Sequence, residues 1–257
     1  MKRAYVDITE GQMHYRYAGS GAPIIMLHMS GSSSDEFEES GDMLAGKYTV
    51  YAPDLLAFGY SDRPPRLYTM EEHARAVIEF MDVLEITSAC FVGNLVGANI
   101  AVHVAIQNSA RVKAMFLSSF CYGKEHKEFQ AYGALPVYQP IPAADDGSHL
   151  VEMWQRTQRY QETTAVIGAR TLCMHLAGEW SESLHTALFS DIDLTDSLRK
   201  IIIPTKLIGA PAEEEKLRLL VSLMPNARYE IVDELNPFFG RKYPDKFTKM
   251  IEKSFKC

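Results

Sequence analysis

Apolar residues in this chain fall in short runs separated by polar stretches rich in Gly, Pro and Ser. Residues 4–8 and 13–17 read as two opening strands, with Gly11 at the turn between them. Residues 23–27 (PIIML) are continuously apolar, the pattern of a strand covered on both faces. A Ser/Gly loop occupies 28–34, and a polar helical stretch runs to about Ala45. Residues 48–51 predict another strand, followed by the Gly/Pro-punctuated loop 52–65. Thr69 and Glu72 have the spacing of a capping box, and Met70, Ala74, Val77, Ile78, Met81 and Leu84 then share one helix face.

Residues 89–92 predict a strand, and 93–97 (GNLVG) turn it into a helix over 96–106 that is apolar nearly all round. Residues 112–118 predict a further strand. The alternation then breaks and resumes with a strand at 205–208, a helix at 213–223, a strand at 228–232 and a helix opened by Pro244. Strands alternating with helices at this spacing imply an α/β fold with a mostly parallel sheet and helices on both faces. One domain is expected, with a core of about 1–121 and 197–257 and a helical cap insertion of about 122–196. The insertion carries Trp154, Trp180 and four of the eight histidines, His126, His149, His175 and His185.

Composition narrows the partners. With 26 Lys+Arg against 33 Asp+Glu the formal charge is −7, a field that repels phosphate backbones, so nucleic acid is not expected. No stretch reaches the ~18 apolar residues of a membrane span, and the N-terminus has no apolar core of a signal peptide. Cys90, Cys121, Cys173 and Cys257 lack CxxC spacing and read as reduced thiols of a cytoplasmic protein. No HxH or HExxH pairing occurs, so neither a metal nor another cofactor is expected. The oligomeric state has no signature.

Three motifs carry a family likeness. Leu27-His28 precedes a Gly/Ser loop; Asp54–Pro64 reads DLLAFGYSDRP; and Gly93-Asn94-Leu95-Val96-Gly97 lies between a strand and a buried helix. Together with the strand order they resemble the α/β-hydrolase superfamily, respectively its HG oxyanion loop, its DLxGxGxSDRP segment with Ala57 where Gly is usual, and its GxSxG nucleophile elbow. The resemblance implies a nucleophile at position 95, an acid after the strand at 205–208, and a His about seven residues before Pro244. The chain has Leu95, Ala212 and Pro237 at these positions, and no His follows His185. Leu has no lone pair with which to attack a carbonyl, so a Ser-His-Asp relay is not expected. An oxyanion hole built from backbone N–H groups is expected to survive, from Val96 and from Met29 or Ser30. If the elbow persists, Leu95 must hold a strained backbone with φ above zero.

Two readings follow. In one, the chain binds a small apolar or carbonyl-bearing molecule under the cap, against Met29, Ser30, Asn94, Leu95, Val96, Trp154 and Trp180. In the other, a lyase, isomerase, decarboxylase or cyclase uses the remaining oxyanion hole with a His, either His28 of the first loop or one from the cap. Bracing its loop is the ordinary role of a His at position 28, and a place in the core that of His103. An interaction module remains a third class, without an exposed apolar stripe or charge block to favour it.

Overall fold

The computed structural model describes residues 1–122, 139–190 and 193–255. His126 and Cys257, both singled out in the sequence, lie outside the described residues. The strands are β1 (Lys2–Ile8), β2 (Gly11–Ala18), β3 (Ala22–Leu27), β4 (Tyr48–Pro53), β5 (Ala89–Asn94), β6 (Val112–Ser118), β7 (Thr205–Gly209) and β8 (Ala227–Ile231). They form one sheet in the order β1-β2-β4-β3-β5-β6-β7-β8. The β1–β2 and β2–β4 pairs are antiparallel and every other pair is parallel. β3, the apolar run, is the first strand of the parallel part and lies between β4 and β5. The strand order reverses there, and in such sheets the crevice beyond the carboxyl ends of the strands is where ligands bind.

Helices α1 (Glu38–Leu44), α2 (Met70–Val83) and α3 (Val96–Gln107) alternate with these strands. The polar stretch before α1 begins as a separate 3-10 turn, Ser34–Phe37, capped by the Ser33 hydroxyl accepting from Asp35 N–H. Between β6 and β7 lie α4 (Ser148–Gln158), α5 (Thr164–Ala177), α6 (Ser183–Phe189) and α7 (Thr195–Leu198), the helical insertion that interrupts the alternation. The chain ends with α8 (Glu214–Leu223), α9 (Phe239–Lys242) and α10 (Pro244–Ser254). One apolar layer joins α2, α3 and α8 to one face of the sheet. A smaller one joins α1, α9 and α10 to the other through Phe116, Phe239, Phe247 and Ile251. No helix among the described residues is long and apolar enough to cross a membrane.

One expectation is corrected. Cys90 is disulfide-bonded, whereas Cys121 and Cys173 are free and buried. A bond to Cys90 depends on tertiary proximity, for which CxxC-type spacing gives no signal.

The capping box forms as the spacing predicts. Glu72 N–H donates to the Thr69 hydroxyl at 3.2 Å, and Thr69 N–H donates to the Glu72 carboxylate at 3.0 Å. Arg66 adds a two-pronged bond to the same carboxylate, and with it Glu72 is held down at about 2. Thr69→Ala should lower stability by about 1 kcal/mol, read as an earlier urea midpoint at unchanged slope.

Candidate functional site

The sharp turn at the end of β5 is enforced by its neighbours. A Cβ at Gly97 would sit 2.1 Å from the Leu27 carbonyl oxygen, and one at Gly93 would sit 2.5 Å from Ala98 Cα. Two residues without side chains thus let the first turn of α3 press against β3. Leu95 between them is forced to φ 50°, ψ −115°, a conformation that costs a non-Gly residue about 1–3 kcal/mol. Its N–H donates to the Ser118 carbonyl at 2.9 Å, and its own carbonyl accepts from Ala98 N–H at 2.9 Å. The elbow therefore keeps its geometry with a hydrocarbon at its centre.

Leu95 is half-buried and packs against Met29 from the β3 loop, Phe238 from the β8 loop and Val166 from α5, with Tyr160 at the rim of the same cluster. Three of the expected binding residues, Met29, Asn94 and Leu95, thus meet here, and Val96 is buried at the start of α3. Pro237 is brought to the elbow, where its carbonyl accepts from Asn94 Nδ2 at 2.9 Å. Ala212 is exposed in a turn after β7. The neighbouring Glu213 caps that turn, accepting from Ala210 N–H at 2.8 Å and pairing with Lys216 at 2.6 Å. Neither Trp belongs to the elbow cluster. Trp180 packs on the large core, and Trp154 lies on α4 near Gly168 of α5.

His28 is fully buried and both ring nitrogens are engaged. Leu55 N–H donates to Nε2 at 2.9 Å, so the proton sits on Nδ1 and is donated to the Met29 carbonyl at 2.8 Å. Burial holds its pKa down, against the pull of Asp54 and the Met29 bond. It braces the loop, and no lone pair is left for the base role. His103 is buried within α3. His149 accepts from Ala144 N–H, and its ring meets that of His175 edge-on at 5.8 Å, away from the elbow cluster.

The DLLAFGYSDRP segment is a scaffold. Asp54 accepts from Ser34 N–H at 2.6 Å and Tyr60 N–H at 2.9 Å, and faces His14 Nδ1 at 2.7 Å. Burial alone would raise its pKa; these bonds and His28 hold it below the usual carboxylate range. Ala57 takes φ 73°, a left-handed geometry that favours Gly.

Glu36 was not anticipated. It is buried, accepting from Met29 N–H at 3.1 Å and from Asn94 Nδ2 at 2.7 Å. One carboxylate thereby joins the β3 loop, the elbow and, through Asn94, the β8 loop. It also takes up the Met29 N–H, one of the two oxyanion donors expected from the first loop. Burial pushes its pKa up to about 7, against the pull of Asn94, Met29, Ser32 and Arg241. In sequence it lies in a polar stretch, where periodicity gives no sign of a buried carboxylate.

The insertion meets this site along a polar seam. Arg170 Nη1 donates to the Ser30 carbonyl at 2.8 Å, and the Cys173 thiol donates to the Ser32 carbonyl at 2.8 Å. Burial pushes that thiol up to about 12, so it stays protonated. Ser30 Oγ lies 3.3 Å from His185 Nδ1, which lies 2.5 Å from Glu182 Oε2. The three residue types match a relay, but the geometry does not. A triad imidazole uses one nitrogen for the acid and the other for the serine, whereas here Nδ1 faces both.

The folded-state pKa of Glu36 lies above its ordinary value of 4.5, so folding takes up a proton between about pH 4.5 and 7. Stability contributed by this residue is therefore present below pH 4.5 and falls as pH rises through that window. The stability of Glu36→Gln relative to the parent should rise by about 3 kcal/mol across it, measured by urea unfolding at pH 5 and pH 8. A pH-independent difference contradicts the assignment.

Comparison with known proteins agrees with this fold. A family model described as alpha/beta hydrolase fold matches residues 22–196. Haloalkane dehalogenase 2 of Mycobacterium tuberculosis H37Rv is 32% identical over 116 residues, 45% of this chain and 41% of that protein. The 2-hydroxymuconate semialdehyde hydrolase of Pseudomonas sp. CF600 is 36% identical over 104 residues, 39% of this chain and 37% of that one. The chain thus spans about two fifths of the length of these curated relatives. A thermophilic esterase from Thermogutta terrifontis superposes with a TM-score of 0.78 at 19% identity, over 98% of this chain and 97% of that one. A hydrolase from Pseudomonas aeruginosa gives 0.80 at 18%, over 99% and 98%. At these identities the superpositions speak for the fold, and the family match covers more than half of the chain: it belongs to the alpha/beta hydrolase fold family.

Proposed function

We propose that this chain has given up serine hydrolysis and binds a small apolar or carbonyl-bearing molecule between the elbow and the insertion. The observation that carries this is Leu95 at φ 50°, a hydrocarbon in the position of the nucleophile, surrounded by Met29, Val166 and Phe238. Ala212 and Pro237 at the acid and His positions are consistent with it, as no proton relay can be drawn through them. Relatives named as hydrolases make hydrolysis the default expectation from likeness, and the chemistry of a Leu side chain opposes it. The ligand would rest on the elbow cluster, with Val96 N–H and Ser30 as polar contacts. Trp154 and Trp180 drop out of that set because they pack elsewhere.

A second reading, a non-hydrolytic enzyme on the same scaffold, is favoured by the ionisable groups that crowd the seam: Glu36, Tyr160, Glu182 and His185. His28 cannot serve it as a base, since its nitrogens are spent on the loop.

Incubation with a fluorophosphonate probe should leave every serine of the folded chain unlabelled by mass spectrometry. Stoichiometric labelling of any serine, Ser30 above all, refutes the loss of the nucleophile. Leu95→Ser should raise p-nitrophenyl acetate hydrolysis less than about tenfold, because a hydroxyl without its base recovers little of the relay.

A further inference from the structure

Among the described residues no group is placed to accept the proton of Tyr160, just beyond α4. Two guanidiniums point at its hydroxyl oxygen, Arg159 Nη2 at 3.0 Å and Arg170 Nη2 at a longer 3.5 Å. Both cations also lie over its ring, at 4.9 and 5.0 Å from the centroid. The oxygen therefore accepts from two donors, and among the described residues its own O–H donates to none.

Arg170 states the same imbalance from the other side. It is 7% exposed, and among the described residues no carboxylate forms an ion pair with it. Its remaining bond goes to a neutral carbonyl, that of Ser30. A buried cation without a counter-ion is costly, and a phenolate beside it would supply the missing charge. Burial alone would raise the Tyr160 phenol, but Arg170 and Arg159 outweigh it and hold it below its ordinary value of 10.0.

The surroundings suit proton movement. A hollow of about 10 Å³, room for about one water, is lined by Tyr160, Arg156, Arg159, Arg170, Glu182 and His185. Glu182 opposes ionisation of the phenol, while the three arginines favour it in sign. The ring meets Phe238 edge-on at 5.3 Å, and Tyr160 packs against the apolar cluster that holds Leu95.

We propose that Tyr160 is the proton-transfer residue of this chain, a phenol poised between Arg159 and Arg170 to exchange a proton with a small carbonyl compound lying over Leu95 and Phe238. The inference rests on the second reading above. The step starts from the phenolate, the Tyr160 proton having passed to water in the hollow: a C–H bond beside the ligand carbonyl breaks and its proton forms the O–H bond of Tyr160. The electron pair moves into an enolate, so negative charge passes from one oxygen to another beside the same guanidiniums. No oxidant or further reactant is consumed, and the reverse transfer returns the ketone.

Three readouts test it on the intact chain. With tyrosine labelled with carbon-13 at the hydroxyl-bearing ring carbon, one resonance should titrate well before the rest and be missing in Tyr160→Phe. Its midpoint should rise by about one pH unit, tenfold in proton concentration, in Arg170→Met. Arg159→Met, an exposed change, should move it in the same direction and covers the case in which the buried variant fails to fold. Benzenesulfonyl fluoride should modify Tyr160 first, with fluoride leaving as the O–S bond forms and the phenolic proton going to water.

Cyclohexanone in heavy water reads the activity. The parent chain should speed deuterium uptake beside the carbonyl over buffer, and Tyr160→Phe should lose about 100-fold or more of that rate. Tyrosines that titrate together, or equal exchange in the parent and Tyr160→Phe, overturn the assignment. Serine labelling by the sulfonyl fluoride would instead sink the non-hydrolytic reading, so the two ideas fail on different residues.

Discussion

The site depends on one close approach, the first turn of α3 pressed against the carbonyl of Leu27 at the end of β3. Only a residue without a Cβ fits at Gly97, and Gly93 meets the same limit against Ala98. Once those two positions are fixed, the residue between them has little freedom left. Leu95 accepts a positive φ although its side chain gains nothing from exposure at a strand end. The strain belongs to the packing of helix on sheet, and it holds whatever side chain stands between the two glycines. The same packing places Val96, buried, at the helix start.

Most of the fold is legible in the sequence because its signals are local. β3 and β5 announce themselves as continuous apolar runs, since both faces of a central parallel strand are covered. Thr69 and Glu72 mark a helix start through two hydrogen bonds that need no tertiary partner. The motif at 54–64 is legible for a different reason. Its Asp54 gathers bonds from the β3 loop and its own loop and faces His14 of β2, so its residue types are tightly held.

The candidate site is legible only where it coincides with the backbone turn. Glu36, Arg170 and Tyr160 carry no periodic or spacing signal. Glu36 and Tyr160 lie in polar stretches and Arg170 is a single charge in the largely apolar helix α5, and the burial of each follows from what folds over it. The tryptophans mislead for the converse reason. A large apolar side chain in an insertion invites a pocket role, yet Trp180 finds the main core and Trp154 a helix neighbour. Cys90 is of the same kind, its bond set by proximity in the fold. What the site gains from the unforeseen residues is charge. Glu36 and Arg170 meet adjacent residues of the β3 loop, at the Met29 N–H and the Ser30 carbonyl, and the same loop carries His28 with its ring locked by Leu55 and Met29.

The insertion grips the core by a device with an evolutionary reach. Arg170 ends on the carbonyl of Ser30, Cys173 on the carbonyl of Ser32, and Arg63 of the core on the carbonyl of Leu176. A carbonyl is the same whatever side chain follows it. These three bonds thus ask no side-chain identity of the receiving positions, only of the donors, and Ser30 also meets the insertion through its side chain, at His185. The backbone bonds hold the insertion docked whatever side chains follow those carbonyls, so the recognition surface and its closure are free to diversify separately.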